Sequence, residues 1–339
     1  YLFSIHERIR KDIRELEETI LFLRRRNVFF TIDNVIGKYL DAKKEEFFFV
    51  FMRRIIRQLR DIGKHRTSET YAATLNSFMG FRDGKDLFIE EVTAELVCSY
   101  EAWLKNKGVS MNTVSFYMRI LRAVNNRAVE EGIVEQRYPF KYVYTGYEKT
   151  IKRAVTLDII KRIKQLDYPK ESSLAFARDI FLFSFYTRGM SFIDIAFLRK
   201  SDLEGGILSY RRQKTGQRLF IKWEPCMQEL VERYGEKSSP YLLRLIRKPG
   251  KNERRQYLNE SHRIARYLKV IGESLGLSSP LTMYVARHAW ASIAKSKNIP
   301  ISVISESMGH DSEKTTRIYL ATLDKTPIDE ANNLILNSL

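Results

Sequence analysis

The chain has 339 residues, with 58 Lys plus Arg against 41 Asp plus Glu, a formal net charge of +17 and a sequence pI of about 9.7. That balance disfavours an acidic small molecule as partner and points to a polyanion, with nucleic acid ahead of an anionic membrane surface. With 44% hydrophobic residues, 20 Phe and 18 Tyr, two or three domains are expected, while the two cysteines, Cys98 and Cys226, support neither a disulfide framework nor a zinc site.

Residues 5 to 23 place Ile5, Ile9, Ile13, Leu16, Ile20 and Leu23 at steps of three and four, which predicts an amphipathic helix. Its polar face, ERIRKDIRELEE, mixes both signs, so segment 1–44 reads as an oligomerising or packing helix ahead of an arm whose RRR at 24–26 touches DNA phosphates. The longest apolar run, FFFVFM at 47–52, is far below the roughly 20 residues that cross a bilayer. No signal-peptide pattern opens the chain, and a cytoplasmic protein with no membrane partner is expected.

From Thr31 to about Tyr147 the helical period persists through TIDNVIGKYLDAKK, FFFVFMRRIIRQLRDIG, SETYAATLNSFMGF, TAELVCSYEAWLKNKG and SMNTVSFYMRILRAVNNRAVEEGI. Gly63, Gly108 and Gly132 stand where helices end, and Thr67, Thr93 and Ser110 where N-caps belong. Residues 45–146 are therefore read as an all-α bundle. In its last helix Arg119, Arg122 and Arg127 alternate with apolar residues, a pattern that fits a DNA-facing side and an ordinary solvated face equally well.

The segment KYVYTGYEKTIKRAVT, 141–156, breaks the period. With Lys149, Lys152 and Arg153 it predicts a basic linker in reach of DNA. A capped helix TLDIIKRIKQL follows, then the helical SSLAFARDIFLFSFYTRG, then ILSYRRQ and QRLFIKW alternating about the turn KTG, which predicts a β-hairpin. After Trp223, helices are expected over roughly 225–235, 255–275, 284–297, 300–308, 312–321 and 327–338. The fold class is thus mainly α with a small β-hairpin or sheet.

Within this second half stand, in order, Arg188 in YTRGMSFIDIAFL, Lys214 in RRQKTGQR, Arg287 in YVARHAW, and His310 and Tyr319 in GHDSEKTTRIY. This set resembles the catalytic domain of the tyrosine recombinase, or phage integrase, family over roughly residues 150 to 325, and the helical stretch before it resembles the family's core-binding domain. The division expected is 1–44, 45–146 as core-binding domain, 147–325 as α+β catalytic domain, and a C-terminal helix at 326–339 exchanged between subunits. By itself Tyr319 reads as a packing residue; its place after Gly-His makes it the nucleophile that the resemblance implies. Arg188 and Arg287 would then clamp the nonbridging oxygens of a phosphodiester, because a planar guanidinium offers paired donors and stays charged. Lys214 would protonate the departing 5′-oxygen and His310 would donate to the phosphate. Asp194 is either a polar helix position or an acid that orients the site, His288 is a structural support, and Arg212 beside Lys214 is a DNA contact.

One residue departs from the family pattern: the His-x-x-Arg box reads Tyr284-Val285-Ala286-Arg287. A neutral phenol donates a hydrogen bond but is a poor base near neutrality. Either Tyr284 supplies only a hydrogen bond, or water or His310 moves the proton, or the reaction is slow. The resemblance implies strand exchange on double-stranded DNA by a homotetramer through a 3′-phosphotyrosyl bond, with no metal, ATP or other cofactor. A DNA-binding protein of the same fold that has lost cleavage, and a type IB topoisomerase, are the alternatives.

Overall fold

The computed structural model describes residues 2–25, 29–45, 47–148, 154–310, 312–321 and 335–338. The chain divides into two compact units, residues 1–148 and 149–339.

The first unit is helical: α1 (Leu2–Arg25), α2 (Ile32–Glu45), α3 (Phe48–Asp61), α4 (His65–Phe81), α5 (Ala94–Asn106) and α6 (Met111–Glu130). Its core grows from the aromatic run of α3. Phe48, Phe49, Phe51, Met52, Ile55 and Ile56 are buried, and the Phe78 ring of α4 meets Phe48 edge-on at 5.5 Å and Tyr100 of α5 at 5.0 Å. Such ring pairs add to the hydrophobic contribution of burial. On the opposite side of α3, Arg53, Arg57 and Arg60 form an exposed stripe at i, i+4 and i+7. The first turn of α3 is closed from far along the chain, where Asp86 Oδ1 accepts from the Phe49 and Leu87 N–H groups at 2.9 and 2.8 Å.

Thr93 caps α5 as expected, accepting from Leu96 N–H. Thr67 does not cap: Lys64 N–H donates back to Leu59 O at 2.8 Å, so the turn at Gly63 is already closed and α4 starts at His65. Ser110 stands at the N-cap position of α6, but its hydroxyl pairs with Thr113 Oγ1 rather than with a backbone N–H. The first half of the expected linker is also docked. Phe140 and Val143 are buried, Ser115 Oγ donates to Gly146 O at 2.6 Å, and Asn112 bonds both backbone groups of Glu148.

The second unit contains α7 (Leu157–Gln165), α8 (Ser173–Tyr186), α9 (Phe192–Phe197), β1 (Leu203–Glu204), β2 (Ile207–Arg211), β3 (Arg218–Lys222), α10 (Pro225–Tyr234), α11 (Glu253–Ser274), α12 (Met283–Ser296), α13 (Ile301–Met308) and α14 (Glu313–Ala321). Apolar almost all round, α8 is the central helix, with Ile180, Phe181 and Phe183 buried and α7, α10, α11 and α12 packed against it. The hairpin is present and gains a short third strand, in antiparallel order β1-β2-β3. Its register pairs Leu208 with Ile221 and Tyr210 with Leu219. These four face the core, which turns Ser209, Arg211, Arg218 and Phe220 outward. Among the described residues no helix is long and apolar enough to cross a membrane.

Replacing Phe78 by Ala removes the ring on which α3, α4 and α5 converge; urea unfolding should show a loss of about 3–5 kcal/mol in the first unit.

Candidate active site

The site forms where three connections meet α12. After α8 the chain turns through two left-handed residues, Arg188 (φ 59°) and Gly189 (φ 74°). A side chain at Gly189 has no room: a Cβ there would lie 2.6 Å from Arg287 Cα. Through this close approach Arg287, 6% exposed, donates from Nη1 to Gly189 O at 2.9 Å. Its Nη2 donates to Met308 O at 2.6 Å, at the end of α13, and to His310 Nε2 at 3.2 Å. A guanidinium can only donate, so Nε2 accepts, the ring proton is on Nδ1, and Nδ1 donates to Thr316 Oγ1 at 2.8 Å. The left-handed Gly309 (φ 61°) turns the chain from α13 to His310.

Helix α14 packs through Thr316 and Leu320, both buried, against the small core of Ala291, Ala294, Ile304 and Met308. Position 319 lies in this helix, one residue before Leu320 and so about 100° round the axis. The Tyr319 side chain is outside the described residues.

Lys214 is exposed at the hairpin turn. Arg188 Nη1 donates to the β3 carbonyl of Phe220 at 3.3 Å. Asp194, 4% exposed, receives Ser191 Oγ at 2.5 Å and the Gln213 N–H at 2.8 Å, so it holds the residue next to Lys214. Burial raises the pKa of the Tyr210 phenol well above its ordinary value and Asp194 adds to the rise, while Arg287, Arg212 and Arg188 pull it back. Those three arginines therefore bear on one another's neighbourhood. Tyr284 is 55% exposed in the first turn of α12, with its ring edge-on to buried His288 at 4.3 Å.

The remaining candidates separate. Arg119 and Arg122 are exposed on α6, as a DNA-facing side requires. Arg127 is engaged inside its own unit, with Nε on Glu131 at 2.9 Å and Nη2 on Gln58 at 2.5 Å. Glu131 also takes Arg54, and these two arginines, Arg54 first, hold its carboxyl below the usual range. Arg212 is buried at 8% exposure and donates to Gly309 O, so its charge stays within the unit rather than facing a duplex. Lys149, Lys152 and Arg153 fall outside the described residues, and so does most of 326–339. The stripe of Arg53, Arg57 and Arg60 was missed from sequence, although its i, i+4, i+7 spacing was there to be read.

Comparison with known proteins decides the family. Residues 47–144 match the phage integrase SAM-like domain, and residues 158–326 match the phage integrase family. The chain belongs to the tyrosine recombinase family. Among curated recombinases it is 26% identical over 241 residues to the tyrosine recombinase XerA of Pyrococcus furiosus, covering 68% of this chain and 78% of that protein. To the tyrosine recombinase XerC of Thermodesulfovibrio yellowstonii it is 23% identical over 262 residues, covering 75% and 84%. The fold is that of a lambda integrase dimer bound to a COC′ core site (TM-score 0.62, 18% identity, 83% of this chain and 80% of that one). It also matches the XerH recombinase bound to a palindromic difH substrate (TM-score 0.61, 17% identity, 83% of each chain).

The Gly189–Arg287 approach is testable. Gly189→Ala forces both left-handed strain and overlap with backbone, and should lower the stability of the second unit by roughly 3 kcal/mol in urea titration. Gly216→Ala, where a Cβ meets nothing within 4 Å, should cost only about 1 kcal/mol.

Proposed function

We propose that the chain is a site-specific DNA recombinase that breaks and rejoins duplex DNA through Tyr319. The observation that carries this reading is the buried guanidinium of Arg287, fixed between the turn that bears Arg188 and the loop that bears His310. Fixed positive charge of this kind lowers the barrier for a reaction in which negative charge grows on phosphate oxygens, because no reorganisation is needed as the charge develops.

Tyr319 Oη attacks the phosphorus, a phosphotyrosyl bond to the 3′ side forms, and the bond from phosphorus to the 5′-oxygen breaks. Lys214 gives its proton to that oxygen as it leaves. The phenol must lose a proton in the same step, and the tautomer inferred for His310 supports its Nε2 as the acceptor, which leaves Tyr284 a hydrogen-bond role. Religation reverses the bond changes with a new 5′-hydroxyl, so bond energy is conserved and no nucleotide cofactor is consumed. Arg188 and Arg287 hold the nonbridging oxygens. Arg119 and Arg122, together with the stripe on α3, contact the backbone of the duplex, where each lost contact weakens binding and its salt dependence.

Lambda integrase has been seen as a tetramer bound to a Holliday junction. Four copies exchanging strands in pairs are proposed here too, with segment 326–339 passed to a neighbour and segment 1–44 adding a packing helix. Integration, excision and inversion share this chemistry.

Incubated with nicked duplexes from its own genomic surroundings, the protein should yield a covalent complex that survives denaturant, and Tyr319→Phe should yield none. Persistence of the adduct in that variant would overturn the reading. Relaxation of supercoils without site preference would reassign the chain to the type IB topoisomerases.

Proton handling is tested separately. Tyr284→Phe should slow covalent-complex formation by no more than about tenfold, the worth of one hydrogen bond. His310→Ala should slow it by about a hundredfold or more. The reverse order, with Tyr284→His faster than the natural protein, would place the base at residue 284.

A further inference from the structure

Arginine buried away from solvent has to be matched by acceptors, since an unsatisfied guanidinium costs several kcal/mol. Arg212 is such a residue, and it stands two positions before the lysine of the hairpin. Its Nη1 donates to Gly309 O, the carbonyl just before His310. The main chain of Arg212 closes the turn on itself: its N–H donates to Gln217 O at 2.9 Å, and its own carbonyl accepts from Gly216 N–H at 2.8 Å. The next N–H, that of Gln213, is held by buried Asp194. Contact on the other side is equally close. A Cβ on Gly309 would come within 2.9 Å of Arg212 Cδ, 3.0 Å of Leu219 Cδ1 and 3.1 Å of Gln217 Oε1. The stem of the hairpin thus leans directly on the Gly-His loop.

We propose that Arg212 is a positioning residue: it ties the root of the lysine hairpin to the loop that carries His310, and so sets where Lys214 Nζ arrives. The inference rests on the recombinase reading and on Lys214 as proton donor. Arg212 and Arg287 donate to consecutive carbonyls, Gly309 and Met308, at the end of α13. Two orphan acceptors of a helix C-terminus, where the helix dipole favours cations, are therefore met by two different parts of the site. The proton donor and the phosphate clamp share one mechanical reference. Lysine at 212 would keep the charge but lose the planar fork that reaches a carbonyl while its stem packs on Gly309.

The experiment compares two nicked duplexes, one natural and one carrying sulfur in place of the bridging 5′-oxygen. When the phosphorus–sulfur bond breaks, the thiolate leaves without needing a proton, so defects in proton delivery vanish on it. Arg212→Lys and Arg212→Met should bind the natural duplex with unchanged affinity and cleave it about a hundredfold more slowly, the scale of a lost general acid. On the sulfur duplex both should cleave within about twofold of the natural protein, as should Lys214→Ala. Combining Arg212→Met with Lys214→Ala should be no slower than Lys214→Ala within the same factor, because the two act in one step.

Rates unrecovered on the sulfur duplex but recovered when a nonbridging oxygen is replaced by methyl would show Arg212 touching the phosphate itself, and would overturn the proposal. Multiplicative loss in the double variant would overturn it too. If either single variant fails to fold, the other together with Gln217→Ala, which removes a stem contact of Gly309 but no charge, gives the same comparison. Failure of the natural protein to form the Tyr319 adduct on either duplex is a distinct result, which removes the recombinase reading and this inference with it.

Discussion

Everything in the second unit that bears on chemistry is arranged around the need to satisfy Arg287. A guanidinium this deeply buried must find oxygen or nitrogen acceptors within reach, and the acceptors it finds come from connections far apart in sequence: the turn after α8 and the end of α13. The residue types at those connections follow from that demand. Position 189 has to lack a Cβ because the backbone of α12 is in contact with it, and the left-handed turn there places Arg188 and Gly189 consecutively at positive φ. Position 309 has to be left-handed because α13 must stop and present its last carbonyls to side chains rather than continue their pairing along the helix. The glycines, the histidine tautomer and the hairpin position are consequences of one buried charge.

Charge balance explains why such a centre suits a phosphate. Arg287, Arg212 and Arg188 all lower the proton affinity of Tyr210 in opposition to burial, and Asp194 is the carboxylate that opposes them. Aligned carbonyls at the end of α13 provide partial compensation. The centre still carries an excess of positive charge in a confined, partly dry space, where Coulomb interactions are stronger than in water. A diester oxyanion relieves that excess, and the relief grows as charge moves onto its oxygens during attack.

The architecture was legible because it depends on periodicity. Steps of three and four in α1, the alternation of ILSYRRQ and QRLFIKW, and caps such as Thr93, Thr156 and Ser172 are local signals, and the structure reproduces them. The misreadings share another cause. Thr67 has cap chemistry, but the closure at Gly63 starts the helix earlier. Strand β1 is two residues long, too short to show any alternation. Arg127 and Arg212 look in sequence like any other surface arginine, and what separates them from Arg119 and Arg122 is a partner remote in the chain: Gln58 for Arg127 and Gly309 for Arg212. The motif residues were visible because chemistry fixes their types; the residues that hold them in place were not, because many types satisfy packing.

The phenol at position 284 has a consequence for where proton transfer can occur. Tyr284 and His288 lie one helical turn apart with their rings in contact. An imidazole at 284 would put two protonatable rings side by side in a centre already rich in cations, and each proton bound by one would disfavour a proton on the other. Tyrosine stays neutral there and avoids that conflict, but gives up the ability to accept a proton near neutrality. The task then falls to a group whose protonation is controlled independently. His310 is such a group: Thr316 takes the proton of one ring nitrogen, and Arg287 keeps the other nitrogen an acceptor by donating to it. The same guanidinium that organises the loops thereby chooses which imidazole does the acid–base work, and the departure at 284 becomes a displacement of that role along the chain.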